Sequence, residues 1–137
     1  MSRSGYSDDC ECIELYRQAV DAAILGRRGQ ALLKRLRDAL DAMPVKRLIS
    51  GQIKDAAGEV CAFGALDPAA PNGDDEDESA DLLARHFGIA RALAAEVVYI
   101  NDEYWTARRE TPEDKWVRMR AWVEKNIGPD LDASEEP

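Results

Sequence analysis

Residues 89–128 read IARALAAEVVYINDEYWTARRETPEDKWVRMRAWVEKNIG, and they hold all three tryptophans of the chain. The second half carries every signal of a helix. Thr111 is an N-cap whose hydroxyl can accept from an orphan amide one turn on. Pro112 stands at the first helical position, where a missing N–H costs nothing. Glu113 and Asp114 occupy the positive end of the dipole. Trp116, Met119 or Arg120, Val123 and Ile127 recur at helical spacing, Lys125 sits in the last turn, and Gly128-Pro129 stops the run. In the first half Ile89, Leu93, Val97 and Ile100 form a stripe flanked by Ala90 and Ala94. The two stripes predict an antiparallel helical hairpin, with Trp116 and Val123 packed on the earlier helix. Its connection, Asp102 to Glu110, is somewhat long for two helices.

Working outward, the same periodicity gives a first helix. Ile13, Tyr16, Val20, Ala23 and Ile24 follow Ser7, Asp8 and Asp9, which are available as caps. GRRGQ (26–30) reads as a connector, with Gly26 and Gly29 suited to positive φ. Leu32, Leu33, Leu36, Leu40 and Met43 mark a second helix over 30–43, which Pro44 ends. From 45 to 66 the pattern changes to β-branched residues and glycines, predicting a small β-hairpin or an irregular buried segment. Glu59–Phe63 is the best strand candidate after an Ala57-Gly58 turn, and Cys61, Phe63 and Leu66 are core candidates. Residues 67–78 include PAAPNGDDEDE, which has five consecutive acids and no apolar surface to bury; it reads as a mobile acidic loop. Ser79 is then expected to cap a short helix through Phe87, broken by Gly88. Residues 130–137 read as a frayed acidic tail.

The fold class expected is therefore mainly α, one domain over residues 1–137 with about five helices. That length supports a single core. No apolar run approaches the roughly 18 residues of a membrane span, and the opening MSRSGYSDDCECIEL lacks an apolar signal core. A cytoplasmic protein with no membrane partner is expected. Three cysteines, Cys10, Cys12 and Cys61, suit reduced thiols better than a disulfide framework.

The net charge of −9 is unevenly spread. Residues 26–54 hold eight basic and two acidic side chains, whereas 55–82 hold nine acidic and none basic. Either the blocks complement each other, or one is a docking surface for a charged partner. Arg27, Arg28, Arg35 and Arg37 on the second helix, together with Lys34, are candidates for such a surface. Without a helix-turn-helix, zinc finger or aromatic platform, and in an acidic protein, they make nucleic acid an unlikely partner. Tyr99, Asp102, Glu103, Tyr104 and Trp105 surround the connection between the last two helices. They are core anchors or the aromatic and acidic parts of an interface.

Catalytic chemistry finds little purchase. His86 is the only histidine, and Cys10-Glu11-Cys12 lacks ordinary zinc spacing. Cys61 lies in apolar GEVCAFGAL, which raises a thiol pKa and suits a buried filler rather than a nucleophile paired with His86. Glu96, Asp102 and Glu103 could gather as a cation-binding carboxylate set, or stand as a helix C-terminus and solvated loop, with Asn101 adopting left-handed φ. No cofactor, metal or catalytic residue is assigned, and a non-enzymatic role is expected, with a carboxylate-metal enzyme the least favoured reading.

SRSGYSDD, GRRGQALL, GEVCAFGAL, VVYINDEYW and ETPEDKWVRMRAWVE together resemble a family of small proteins carried by phages and prophages of proteobacteria. The resemblance implies a context rather than an activity: a phage accessory protein in a bacterial host cytoplasm, binding a protein partner such as a host defence complex. A nucleic-acid-contacting role for 27–37 is the alternative.

Overall fold

A computed structural model describes residues 10–102 and 110–128, with side chains from Ile13 onward. Six helices follow in order: α1 Cys10–Leu25, α2 Arg27–Ala42, α3 Ala62–Leu66, α4 Glu76–Phe87, α5 Arg91–Asp102 and α6 Pro112–Asn126. No strand occurs among the described residues, and none of these helices is long and apolar enough to cross a membrane. Side chains from every helix meet in one hydrophobic cluster: Tyr16 and Val20 from α1, Leu32 to Leu40 from α2, Phe63 from α3, Leu83 from α4, Leu93 and Val97 from α5, Met119 and Val123 from α6. The proposed caps of α1, residues 7–9, lie outside the described residues, as do 130–137.

The corner between α1 and α2 takes a single residue. Gly26 has φ −72°, so the positive φ expected of it is not used. Gly29 has another role. A Cβ there would lie 1.9 Å from the Ala23 carbonyl oxygen, so the first turn of α2 sits against the α1 backbone. The connector is thus helical from Arg27, and glycine is required for close packing.

The expected hairpin between the last two helices is not formed. α6 runs antiparallel along α2: Trp116 Nε1 donates to Leu40 O at 3.2 Å, Arg120 grips Asp41 at 2.7 and 3.0 Å, and Gln30 Nε2 donates to Asn126 O at 3.1 Å. Met119 and Val123 are fully buried in this seam, while Trp116 is only half-buried. α5 is buried over a broader arc, Leu93, Ala94, Ala95, Glu96 and Val97, and packs chiefly on α4 and α1. Its small alanines let two helices approach where the sequence suggested one. α6 meets α5 mainly at the end of α5. There Lys115 Nζ donates to Asn101 O at 2.9 Å and Arg118 donates to Ile100 O, while Glu110 holds Arg118 at 2.6 and 3.1 Å. Two cations thereby satisfy the last carbonyls of α5 and face its negative dipole end. The capping box expected at Thr111 is present, with Thr111 Oγ1 accepting from Asp114 N at 3.0 Å.

Residues 43–61 are irregular and largely exposed, anchored in the core at a few points. Leu48 and Ile53 are buried, and a single antiparallel bridge joins Lys54 to Val60. The strand expected over 59–63 is not formed: Val60 makes only this bridge, and α3 begins at Ala62.

Candidate functional site

A cleft of about 190 Å³ is formed by 51–53, the start of α3, the segment 72–79 and the last turns of α5. Phe63, Leu83, Val97 and Val98 give it an apolar floor. Phe63 is held there by stacking on Phe87, with ring centroids 5.0 Å apart. One wall is the acidic run. Asp75 caps α4 by accepting from Glu78 N at 2.8 Å, and Glu78 Oε1 accepts from Asp74 N at 2.6 Å. Only the first half of a capping box is formed, because Glu78 reaches the amide of Asp74 rather than that of the cap Asp75. The acidic loop expected over 67–78 therefore ends at Asp75; Glu76, Asp77 and Glu78 form the first turn of α4, where carboxylates face the positive dipole end. Ser79, expected as the cap, instead accepts from Gly73 N at 2.9 Å. Asn72 Oδ1 accepts from Ile53 N at 3.0 Å and ties this wall to the segment opposite.

The other wall depends on Asn101. It is 3 % exposed and fully helical, not the left-handed cap its type suggested. Its Oδ1 accepts from Ala62 N at 3.0 Å and its Nδ2 donates to Ile49 O at 2.9 Å and Asp102 Oδ1 at 2.8 Å. One amide thus clamps Ile49, within the irregular segment, and Ala62, just after it, to α5. Asp102 also accepts from Gly51 N at 3.3 Å.

Electrostatically the cleft is one-signed. Asp74, Asp75, Glu76 and Asp102 line it, with no lysine, arginine or histidine among the lining residues. Burial pushes the Glu76 carboxyl above the usual glutamate range, and the Asp102 and Asp77 charges push it further. Cys61 also lines the cleft. Burial raises its thiol to about 11, against the opposing Gly64 and Phe63 amides, so it is a protonated thiol at neutral pH rather than a nucleophile. His86 lies outside the cleft, 2.7 Å from Asp67.

Of the carboxylates considered together in the sequence, Glu96 lies apart, 3 % exposed between α5 and α1, where Tyr16 Oη donates at 2.8 Å and Arg17 at 3.1 Å. Glu103 is outside the described residues. No group of three or more His, Cys, Asp or Glu able to hold a metal occurs among the described residues.

The surface residues expected to bind a partner divide. Asp102 lines the cleft; Tyr99 is half-buried on α5 and is not among the lining residues; Glu103, Tyr104 and Trp105 lie outside the described residues. None of Arg27, Arg28, Arg35 or Arg37 lines it. At 100° per residue, Arg28 and Arg35 share one flank of α2, while Arg27, Lys34 and Arg37 share the flank nearer α6. The second flank also carries Asp38 and Asp41, the former 3.2 Å from Arg37. The basic helix therefore presents two narrow stripes, the second of them interrupted by acids.

Comparison with protein-family models, curated proteins and solved structures found no match for this chain.

Proposed function

We propose that this protein acts by binding a protein partner, and that the cleft receives a lysine or arginine side chain flanked by apolar residues. The observation that carries this reading is the combination of an apolar floor with an all-acidic rim. Glu76 and Asp102 repel each other across it, so a cation entering between them relieves that repulsion while its aliphatic stem covers Phe63 and Val98. Following the likeness to phage-carried proteins, we place the partner in a bacterial host cytoplasm, defence assemblies included. A phosphate-binding role for α2 is less favoured, because its basic residues divide between two flanks, one of which also carries Asp38 and Asp41.

The test is a capture experiment from a nuclease-treated proteobacterial lysate, followed by calorimetric titration of short apolar–Lys–apolar and apolar–Arg–apolar peptides. Glu76→Gln with Asp102→Asn is expected to weaken peptide binding by about tenfold, roughly 1.4 kcal/mol. Binding near the carboxylate range should release protons, because a cation lowers the raised Glu76 pKa. Capture that survives the cleft substitutions but is abolished by Arg28→Glu with Arg35→Glu would overturn the assignment.

A further inference from the structure

We propose that the cleft of one molecule receives the corner between α1 and α2 of a second copy, a contact that rests on the reading of the cleft as a seat for a cation flanked by apolar residues. Residues 25–28, Leu-Gly-Arg-Arg, are exposed in succession where α1 gives way to α2. Leu25 is 66 % exposed, the most open large apolar side chain among the described residues. Arg28 follows three residues later and, among the described residues, enters no hydrogen bond or ion pair. The other exposed large apolar side chains are Ile13, Leu15, Val45 and Val117. Their neighbouring cations are engaged: Arg17 with Glu96, Lys46 with two carbonyls, Arg47 with Glu59, Arg118 with Glu110 and Arg120 with Asp41. The corner is thus where an open apolar side chain and an unpaired cation stand side by side.

Its charge is the complement of the cleft. From Ala22 to Arg37 the chain carries Arg27, Arg28, Lys34, Arg35 and Arg37 and no acid. Asp74, Asp75, Glu76 and Asp102 line the cleft, and no cation does. No residue of α1 or α2 lines it, so corner and cleft are separate patches of one molecule. Joined between copies they make a heterologous contact. The Arg28 guanidinium enters between Glu76 and Asp102, and Leu25 covers the apolar floor at Phe63 and Val98. Leu25 and Arg28 are at most about 11 Å apart along the backbone, so leucine and guanidinium arrive as one unit. Each molecule keeps a corner and a cleft for further copies, so the assembly extends head to tail unless the rotation closes a ring. The net charge of −9 opposes approach at long range. At about 0.15 M ionic strength the Debye length of about 8 Å confines that repulsion and leaves the local opposite charges to act. A partner presenting its own cation must displace the second copy, so self-association competes with the function proposed above.

The test is sedimentation equilibrium of the 137-residue chain from micromolar to millimolar concentration at about 0.15 M salt. The average mass is expected to rise with concentration. Arg28→Glu removes the corner and keeps the cleft; Asp74→Asn with Glu76→Gln weakens the cleft and keeps the corner. Each variant should stay monomeric with a melting curve like the parent's, because no side-chain hydrogen bond of the described fold is lost in either. Mixed in equal amounts, the two should form a one-to-one dimer and nothing larger, since one supplies only a cleft and the other only a corner. Arg28→Gln should weaken association in the same direction without charge reversal. A parent that is monomeric throughout, variants that associate as the parent does, or a mixture that stays monomeric overturns the proposal. Calorimetric titration of a short apolar–Arg–apolar peptide into Arg28→Glu separates this contact from the cleft reading. Peptide binding without self-association of the parent refutes the second copy alone, and absence of both refutes the cleft reading as well.

Discussion

Replacing Asn101 by aspartate exchanges one NH₂ for an oxygen and leaves shape unchanged, so its cost isolates the clamp. The bond from Ala62 N survives. The donations to Ile49 O at 2.9 Å and to Asp102 Oδ1 at 2.8 Å become contacts between oxygens. An orphaned Ile49 carbonyl costs about 1–3 kcal/mol. A carboxylate at a site 3 % exposed, beside Asp102, adds a desolvation and repulsion cost. At neutral pH the total should reach about 2–4 kcal/mol. The pH dependence has a fixed sign. The folded-state pKa of the new carboxyl lies above its unfolded value of about 3.9. Below that value it is protonated in both states, can donate to Ile49 O, and the variant should come within about 1 kcal/mol of the parent. As pH rises through the raised folded pKa, stability falls. Urea unfolding followed by tryptophan fluorescence, from about pH 4 to pH 8, reads this as a widening difference in midpoint at constant m. A difference that stays constant with pH, or no difference at neutral pH, would refute the clamp.

Two further predictions concern other joints. Gly29→Ala should destabilise by about 2–3 kcal/mol in thermal or urea unfolding, because backbone lies 1.9 Å from the new Cβ; overpacking then outweighs the roughly 1 kcal/mol that alanine gains in a helix. Glu110→Gln should cost about 1–3 kcal/mol at neutral pH and flatten the acid limb of the stability profile. The Arg118 hydrogen bond, opposed by burial, holds the Glu110 carboxyl below its ordinary value, so its contribution is present above about pH 4.3 and is lost as pH falls through the folded pKa.

The helices were legible because each announces itself locally. Thr111, Pro112, Asp114 and the Trp116–Val123 spacing are contained within one segment, and α6 formed as read. Its partner was not legible. Two apolar stripes adjacent in sequence suggested a hairpin, but the choice between α5 and α2 rests on contacts such as Trp116 to Leu40, which no local pattern encodes. The acidic run was misread for a different reason. Five like charges in a row suggest a solvated loop, yet Asp75 and Glu78 are three residues apart before Leu82 and Leu83. That is a capping-box signal, and it would have identified the wall of the cleft. Asn101 carries no such signal: an asparagine near a helix end fits a left-handed cap equally well, and its partners lie 39 and 52 residues away. Cys61 was legible in character, since its apolar neighbours already implied a raised pKa.

The antiparallel seating of α6 on α2 has a consequence for the order in which the molecule can be completed. Trp116 and Leu40 are separated by 76 positions, and Gly128 and Gln30 by 98. During synthesis α2 emerges long before the helix that covers its flank, and residues 10–102 can assemble only an open form of the core. The side of α2 that α6 covers therefore faces solvent, or a chaperone, until the final helix arrives. Closure by so distant a segment makes this late step slow for a helical protein and exposes its unfinished intermediate to aggregation.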